Sequence, residues 1–116
     1  MAFYTYIVAS GRNGTLYTGS TDDLLKRIGQ HKAGALGGFT AKYGVDQLVW
    51  FQAHATREEA FRKERRIKKW NRLWKLQMID TFNPDWRDLF DEFRLGDLQD
   101  AADWVPAFAG ISGEGE

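Results

Sequence analysis

The sequence predicts an α/β (α+β) domain, a small sheet flanked by helices, and three observations lead there. "FYTYIVAS" and "TLYTG" are short runs rich in β-branched and aromatic residues, joined through Asn13-Gly14. "QLVWFQAH" is a further run of the same character. "STDDLLKRIGQHKAG" and "TREEAFRKERRIKKW" carry capping residues and apolar positions at helical spacing. The chain of 116 residues is sufficient for one core. We expect a domain over residues 1–93 and an acidic C-terminal tail over 94–116.

Taken in order, Tyr4, Tyr6 and Val8 alternate with Phe3, Thr5 and Ile7 along the first strand. If Ser10 pairs with Thr15 across "GRNG", or the turn tightens to Asn13-Gly14, paired residue numbers sum to an odd value. Tyr6 and Tyr17 then share a face, nearly across from each other. The next segment reads as a helix with Ser/Thr/Asp caps, apolar Leu24, Leu25 and Ile28, and Gly34 as its stop. Arg27 and His31 are four apart, so their Cβ atoms lie roughly 5–6 Å from each other on one side. "ALGGFTAKYGVD" is a glycine-rich connector with room for a short helical turn.

The second long helix opens on a capping box, Thr56 with Glu59. Its apolar stripe runs Ala60, Ile67, Trp74, and Glu64 stands where an apolar residue belongs. A carboxylate turned toward a core needs a partner. Arg27, Lys63, Lys68 or a metal ion each meets that need. Asn71 caps a further helix, "RLWKLQMIDTF", and Pro84 suits the first turn of a last short helix burying Trp86, Leu89, Phe90 and Phe93. Trp50, Phe51, Trp70, Trp74 and Trp86 read mainly as core. Trp104 and Phe108 offer docking points for the tail.

The formal net charge is zero, which alone argues against a polyanionic partner, but the charges are segregated. Residues 1–56 carry 5 Lys+Arg against 3 Asp+Glu, residues 57–75 carry 9 against 3, and residues 76–116 carry 2 against 10. The first 75 residues are therefore +8, a basic face followed by an acidic end. Cysteine is absent, which excludes disulfides and thiolate metal sites. Neither a long apolar span nor a signal-peptide pattern occurs, so a soluble, cytoplasmic protein without a membrane partner is expected.

Tyr6, Tyr17, Arg27, His31 and Glu64 come from two strands and two helices, and each suits phosphodiester hydrolysis. That reaction needs a deprotonated water, a cation against the charge developing on phosphate, and usually a divalent metal. The ordered set resembles the GIY-YIG nucleases, in particular small stand-alone bacterial proteins similar to the N-terminal nuclease domain of excinuclease C. "YTY" at 4–6 stands for GIY and "YTG" at 17–19 for YIG; "STDDLLKRIGQH" and "EEAFRKERRIKKW" follow with the arginine, histidine and glutamate. The resemblance covers roughly residues 2 to 90.

It implies a three-stranded antiparallel sheet flanked by helices and an endonuclease acting on DNA, with repair or recombination as the setting. Tyr6 would be the general base or position the attacking water, supported by Tyr17. Arg27 would stabilise the scissile phosphate and His31 would relay or orient a proton. Glu64 would hold one Mg2+ or Mn2+ ion. Lys68, Lys69 and, more remotely, Asn71 would join Arg27 in contacting nucleic acid. No separate targeting module of the family is expected within these residues, which leaves open branched or damaged DNA as substrate and a protein partner or homodimer. The alternative is a catalytically weak nucleic-acid-binding or scaffold module on the same fold.

Overall fold

The computed structural model describes residues 2–94. Its elements run β1 (Phe3–Ala9), β2 (Leu16–Thr21), α1 (Leu24–Ala33), α2 (Gly38–Tyr43), β3 (Gln47–His54), α3 (Arg57–Lys68), α4 (Arg72–Phe82) and α5 (Phe90–Arg94). The strands form one antiparallel sheet in the order β2-β1-β3. This is the α+β architecture expected. The tail from Leu95 onward, with Trp104 and Phe108, lies outside the described residues.

The hairpin sets the register. Ser10 N donates to Thr15 O at 3.0 Å and Gly14 N to Gly11 O at 2.9 Å, so the turn spans the whole of "GRNG". Asn13 takes φ +56, the left-handed conformation that asparagine tolerates better than most residues. The resulting pairs Tyr4 with Thr21, Tyr6 with Gly19 and Val8 with Tyr17 keep the odd sum. Tyr6 and Tyr17 therefore share a face, offset diagonally. On the other side β1 pairs with β3, and a bulge between Ile7 and Val8 skips Val49.

Each face of the sheet has its own cover. The Thr5 hydroxyl donates to Ala60 O at 2.8 Å, which turns the odd residues of β1 toward α3. The even residues look toward α1 and α5: Tyr6 meets His31, and Tyr4 and Phe51 meet Phe93 edge-on at 5.8 and 5.4 Å between ring centroids. Tyr6, Ile7, Val8, Trp50, Phe51 and Ile79 are fully buried. Side chains of this size each contribute about 1.5–3 kcal/mol on burial.

Three expectations need correction. The α3 stripe does not reach Trp74, because α3 ends at Lys68 and the Asn71 side chain restarts the chain as α4. The helical phase is lost across that break, and Trp74 is 54% exposed rather than core. The last helix begins at Phe90, not near Pro84. Asp88 delays it by accepting from Leu48 N and Phe90 N, both at 3.1 Å, so residues 84–89 follow β3 in irregular form and Phe90 is only half-buried. Lys63, part of the basic run, is 5% exposed with its ammonium 5.8 Å from the Trp70 ring centre. Burial there pushes its pKa down to about 8. No helix among the described residues is long and apolar enough to cross a membrane.

Candidate active site

Backbone pairing creates the first part of the site. Tyr6 lies across from Gly19, and a Cβ built at Gly19 would stand 2.6 Å from Tyr6 Oη. Only glycine lets the phenol pass over β2 at that point. On the neighbouring strand Tyr17 points to the same face, and the rings of Tyr6 and Tyr17 both lie 5.6 Å from the imidazole of His31. His31 arrives on α1, whose start is fixed by Asp23 Oδ1 accepting from Lys26 N and whose end is Gly34 at φ +70. Leu24, Ile28 and His31 form the buried face of that helix. Arg27, one turn before His31, is half-buried beside it.

Tyr6 Oη and His31 Nε2 are 2.9 Å apart, and both residues are buried. His31 Nδ1 makes a longer contact of 3.4 Å to Thr40 Oγ1 on α2. Burial pushes the Tyr6 phenol up to about 12, opposed by the Arg27 guanidinium and reinforced by Tyr17 and Glu64. Burial, and then the positive charge of Arg27, hold His31 below its ordinary value, while Asp46 pulls the other way. A neutral imidazole is therefore the resting form near neutral pH, and in the tautomer that leaves Nε2 unprotonated it accepts the phenolic hydrogen.

Glu64 approaches from α3. It is 9% exposed and doubly engaged: Ser20 Oγ donates to Oε1 at 2.5 Å, and Lys68 Nζ pairs with Oε2 at 2.6 Å. The Lys68 ammonium also sits 5.8 Å from the Tyr17 ring centre, which joins the glutamate to the tyrosine pair. Lys68, one of the partners considered for Glu64, is found there. Ser20 pairs with Thr5 and so faces α3, a placement contained in the odd-sum register but carried by no motif. Thr40 was also missed, since nothing local in the glycine-rich connector points it at His31.

The structure thus gathers Tyr6, Tyr17, Arg27 and His31 on the α1 side of the sheet, while Glu64 stands on the α3 side and is linked to Tyr17 through Lys68. It does not bring in Lys69, which lines a basic surface with Arg62, Arg65 and Arg66. Asn71 has a structural job, its Oδ1 accepting from Trp74 N at 2.9 Å to cap α4. Among the described residues no group of three or more His, Cys, Asp or Glu could cage a metal. The donor chemistry still fits magnesium or manganese, which bind through one or two carboxylates with water and substrate oxygens completing the shell. Glu64 Oε2 already faces a cationic group, and that group, the half-exposed Lys68, belongs to a flexible side chain.

Residues 2–77 match the GIY-YIG catalytic domain. UPF0213 protein CPE1444 of Clostridium perfringens is 38% identical over 78 residues, covering 67% of this chain and 83% of that protein. UPF0213 protein SSP2268 of Staphylococcus saprophyticus is 38% identical over 76 residues, covering 66% and 92%. The solution NMR structure of UPF0213 protein BH0048 from Bacillus halodurans is 32% identical, covers 76% of this chain and 93% of its own, and superposes with a TM-score of 0.48. With the family match spanning both tyrosine strands, α1 and α3, the chain belongs to the GIY-YIG catalytic-domain family.

Proposed function

We propose that the protein is a metal-dependent endonuclease that hydrolyses DNA phosphodiester bonds at Tyr6, Tyr17, Arg27, His31 and Glu64, in repair or recombination. The observation that carries this reading is the 2.9 Å contact between Tyr6 Oη and His31 Nε2 beside Arg27. A free phenolate is disfavoured where the phenol is pushed up to about 12. The chemistry therefore runs as a relay: the attacking water passes a proton to Tyr6 Oη while Tyr6 passes its own to His31 Nε2, and the water oxygen bonds to phosphorus as the P–O bond to the departing sugar oxygen breaks, that oxygen taking its proton from solvent. Arg27 opposes the negative charge growing on the phosphate, and Tyr17 fixes the imidazole and borders the water. Glu64 would hold a magnesium or manganese ion, which supplies Lewis-acid polarisation of the phosphate.

Nicking of supercoiled plasmid by wild type and Glu64→Gln, each in magnesium, manganese or chelator, tests the reading. Metal-dependent nicking that disappears in a normally folded Glu64→Gln protein is expected. Equal nicking by both proteins would remove Glu64 from the metal role. The second reading, a catalytically weak nucleic-acid-binding module, is favoured by one observation, the engagement of both Glu64 oxygens by Ser20 and Lys68. Salt-sensitive DNA binding without cutting in any metal would establish it.

A further inference from the structure

The surface beside the tyrosine pair is unlike the rest. Leu36, Phe39 and Tyr43 are 43, 48 and 51% exposed, half of the large hydrophobic side chains so exposed among the described residues. The Phe39 and Tyr43 rings lie 5.0 Å apart, with the Lys42 ammonium 5.4 Å from the Tyr43 ring centre. A pocket of about 240 Å³ is lined by Tyr17 and His31 together with Leu36, Phe39 and the Gly37-Gly38 backbone. Gly37 holds φ +61 and ψ −163, a conformation essentially reserved for glycine, so the wall carrying Phe39 is shaped by that residue.

Among the side chains lining this pocket none is an anion-binding lysine or arginine, whereas Arg27 and Lys68 stand at the neighbouring tyrosines. Phosphate therefore belongs at Arg27, and the adjoining space suits a flat, apolar group. In a nucleic acid the flat group next to a phosphate is a base. A base inside an intact duplex has both ring faces covered by its neighbours, so only an unpaired nucleotide can offer a face to Phe39. Resting on the nuclease reading above, we propose that this pocket receives the unpaired nucleobase flanking the scissile phosphate, stacked on Phe39, and so directs cutting to DNA unpaired at that position. Continuity of the pocket with Tyr17 and His31 selects this occupant over an unrelated partner.

The test uses the full chain in chelator, so that binding is read without turnover. The probes are a duplex with a short single-stranded gap carrying a fluorescent purine whose emission falls on stacking, and the same purine in an unbroken duplex. Wild type is expected to quench the gap probe and not the paired one. Phe39→Ser should abolish the quench and weaken gap binding on the order of 10-fold or more, with duplex binding unchanged and Phe39→Trp restoring both readouts. Wild-type quenching and affinity in Phe39→Ser, or an equal loss on both probes, would overturn the inference while leaving the nuclease reading in place. A Phe39→Ser protein that binds DNA like wild type but turns from dimer to monomer would mark the patch as a contact between copies, again overturning it. Failure of wild type to bind any DNA would overturn both readings.

Discussion

At Arg27 two groups feel one guanidinium: it favours ionisation of Tyr6 and disfavours protonation of His31. The first effect helps the phenol release its proton, whereas the second keeps the imidazole neutral before transfer and makes it a weaker base. Removal of this cation, as Arg27→Ala, should lower the single-turnover cutting rate by about 10²–10³, the loss typical of one preorganised donor to a charged transition state. The folded His31 titrates below its ordinary 6.5, so between that folded value and 6.5 the unfolded chain binds a proton that the native chain does not. Stability from this source is complete above 6.5 and is lost as pH falls through the folded value; His54, also lowered mainly by burial, acts in the same direction. Melting temperature should accordingly fall on acidification from about pH 7 to about pH 5. In the same experiment the acid limb of the cutting rate should have its midpoint below 6.5, because the relay needs neutral His31; a midpoint above that value would contradict the assignment.

Elements hold these residues at useful distances, and the contacts between elements decide how much of them a sequence reveals. Gly19→Ala would place a methyl group 2.6 Å from Tyr6 Oη, on a rigid ring in a paired strand. It should destabilise the protein by about 1–3 kcal/mol and displace the phenol from His31, measurable by chemical denaturation and by loss of cutting. Asp23→Ala, which removes only the cap of α1, should cost about 1 kcal/mol. The hairpin register, β3 at Gln47–His54 and α4 at Arg72–Phe82 were legible because parity, strand composition and capping are local signals. The start of α5 was not, since Asp88 is tied to Leu48, forty residues earlier in the chain. Trp74 misled for a related reason: its spacing continues the α3 stripe, yet the Asn71 cap breaks the phase between them. Tyr6, Tyr17, Arg27, His31 and Glu64 were singled out through their order in the sequence. Ser20 and Thr40, which orient two of them, have no spacing signal and become visible only through packing.

For the whole molecule, the zero net charge conceals a +8 stretch over residues 1–75 that folds into the sheet, α1 and α3. Its basic residues divide into two groups with different expected effects. Lys69 lies with Arg62, Arg65 and Arg66 away from Glu64, so Lys69→Ala should reduce the slope of log affinity against log salt on duplex DNA by about 0.9, with the cutting rate at saturating DNA unchanged. Lys68 pairs directly with Glu64, so Lys68→Ala should alter the metal concentration required for cutting. Titrations of binding against salt and of rate against magnesium separate the two.

Single-turnover cutting by wild type and Tyr6→Phe, on one DNA at protein concentrations that saturate both, tests the relay most directly. Phenylalanine keeps the buried ring and removes only the oxygen 2.9 Å from His31 Nε2. The account predicts unchanged DNA affinity and a rate lower by about 10²–10⁴, the range general acid–base catalysis supplies. Equal rates in a folded Tyr6→Phe protein would contradict it, leaving the tyrosine as core and the hydrolytic proton to another group.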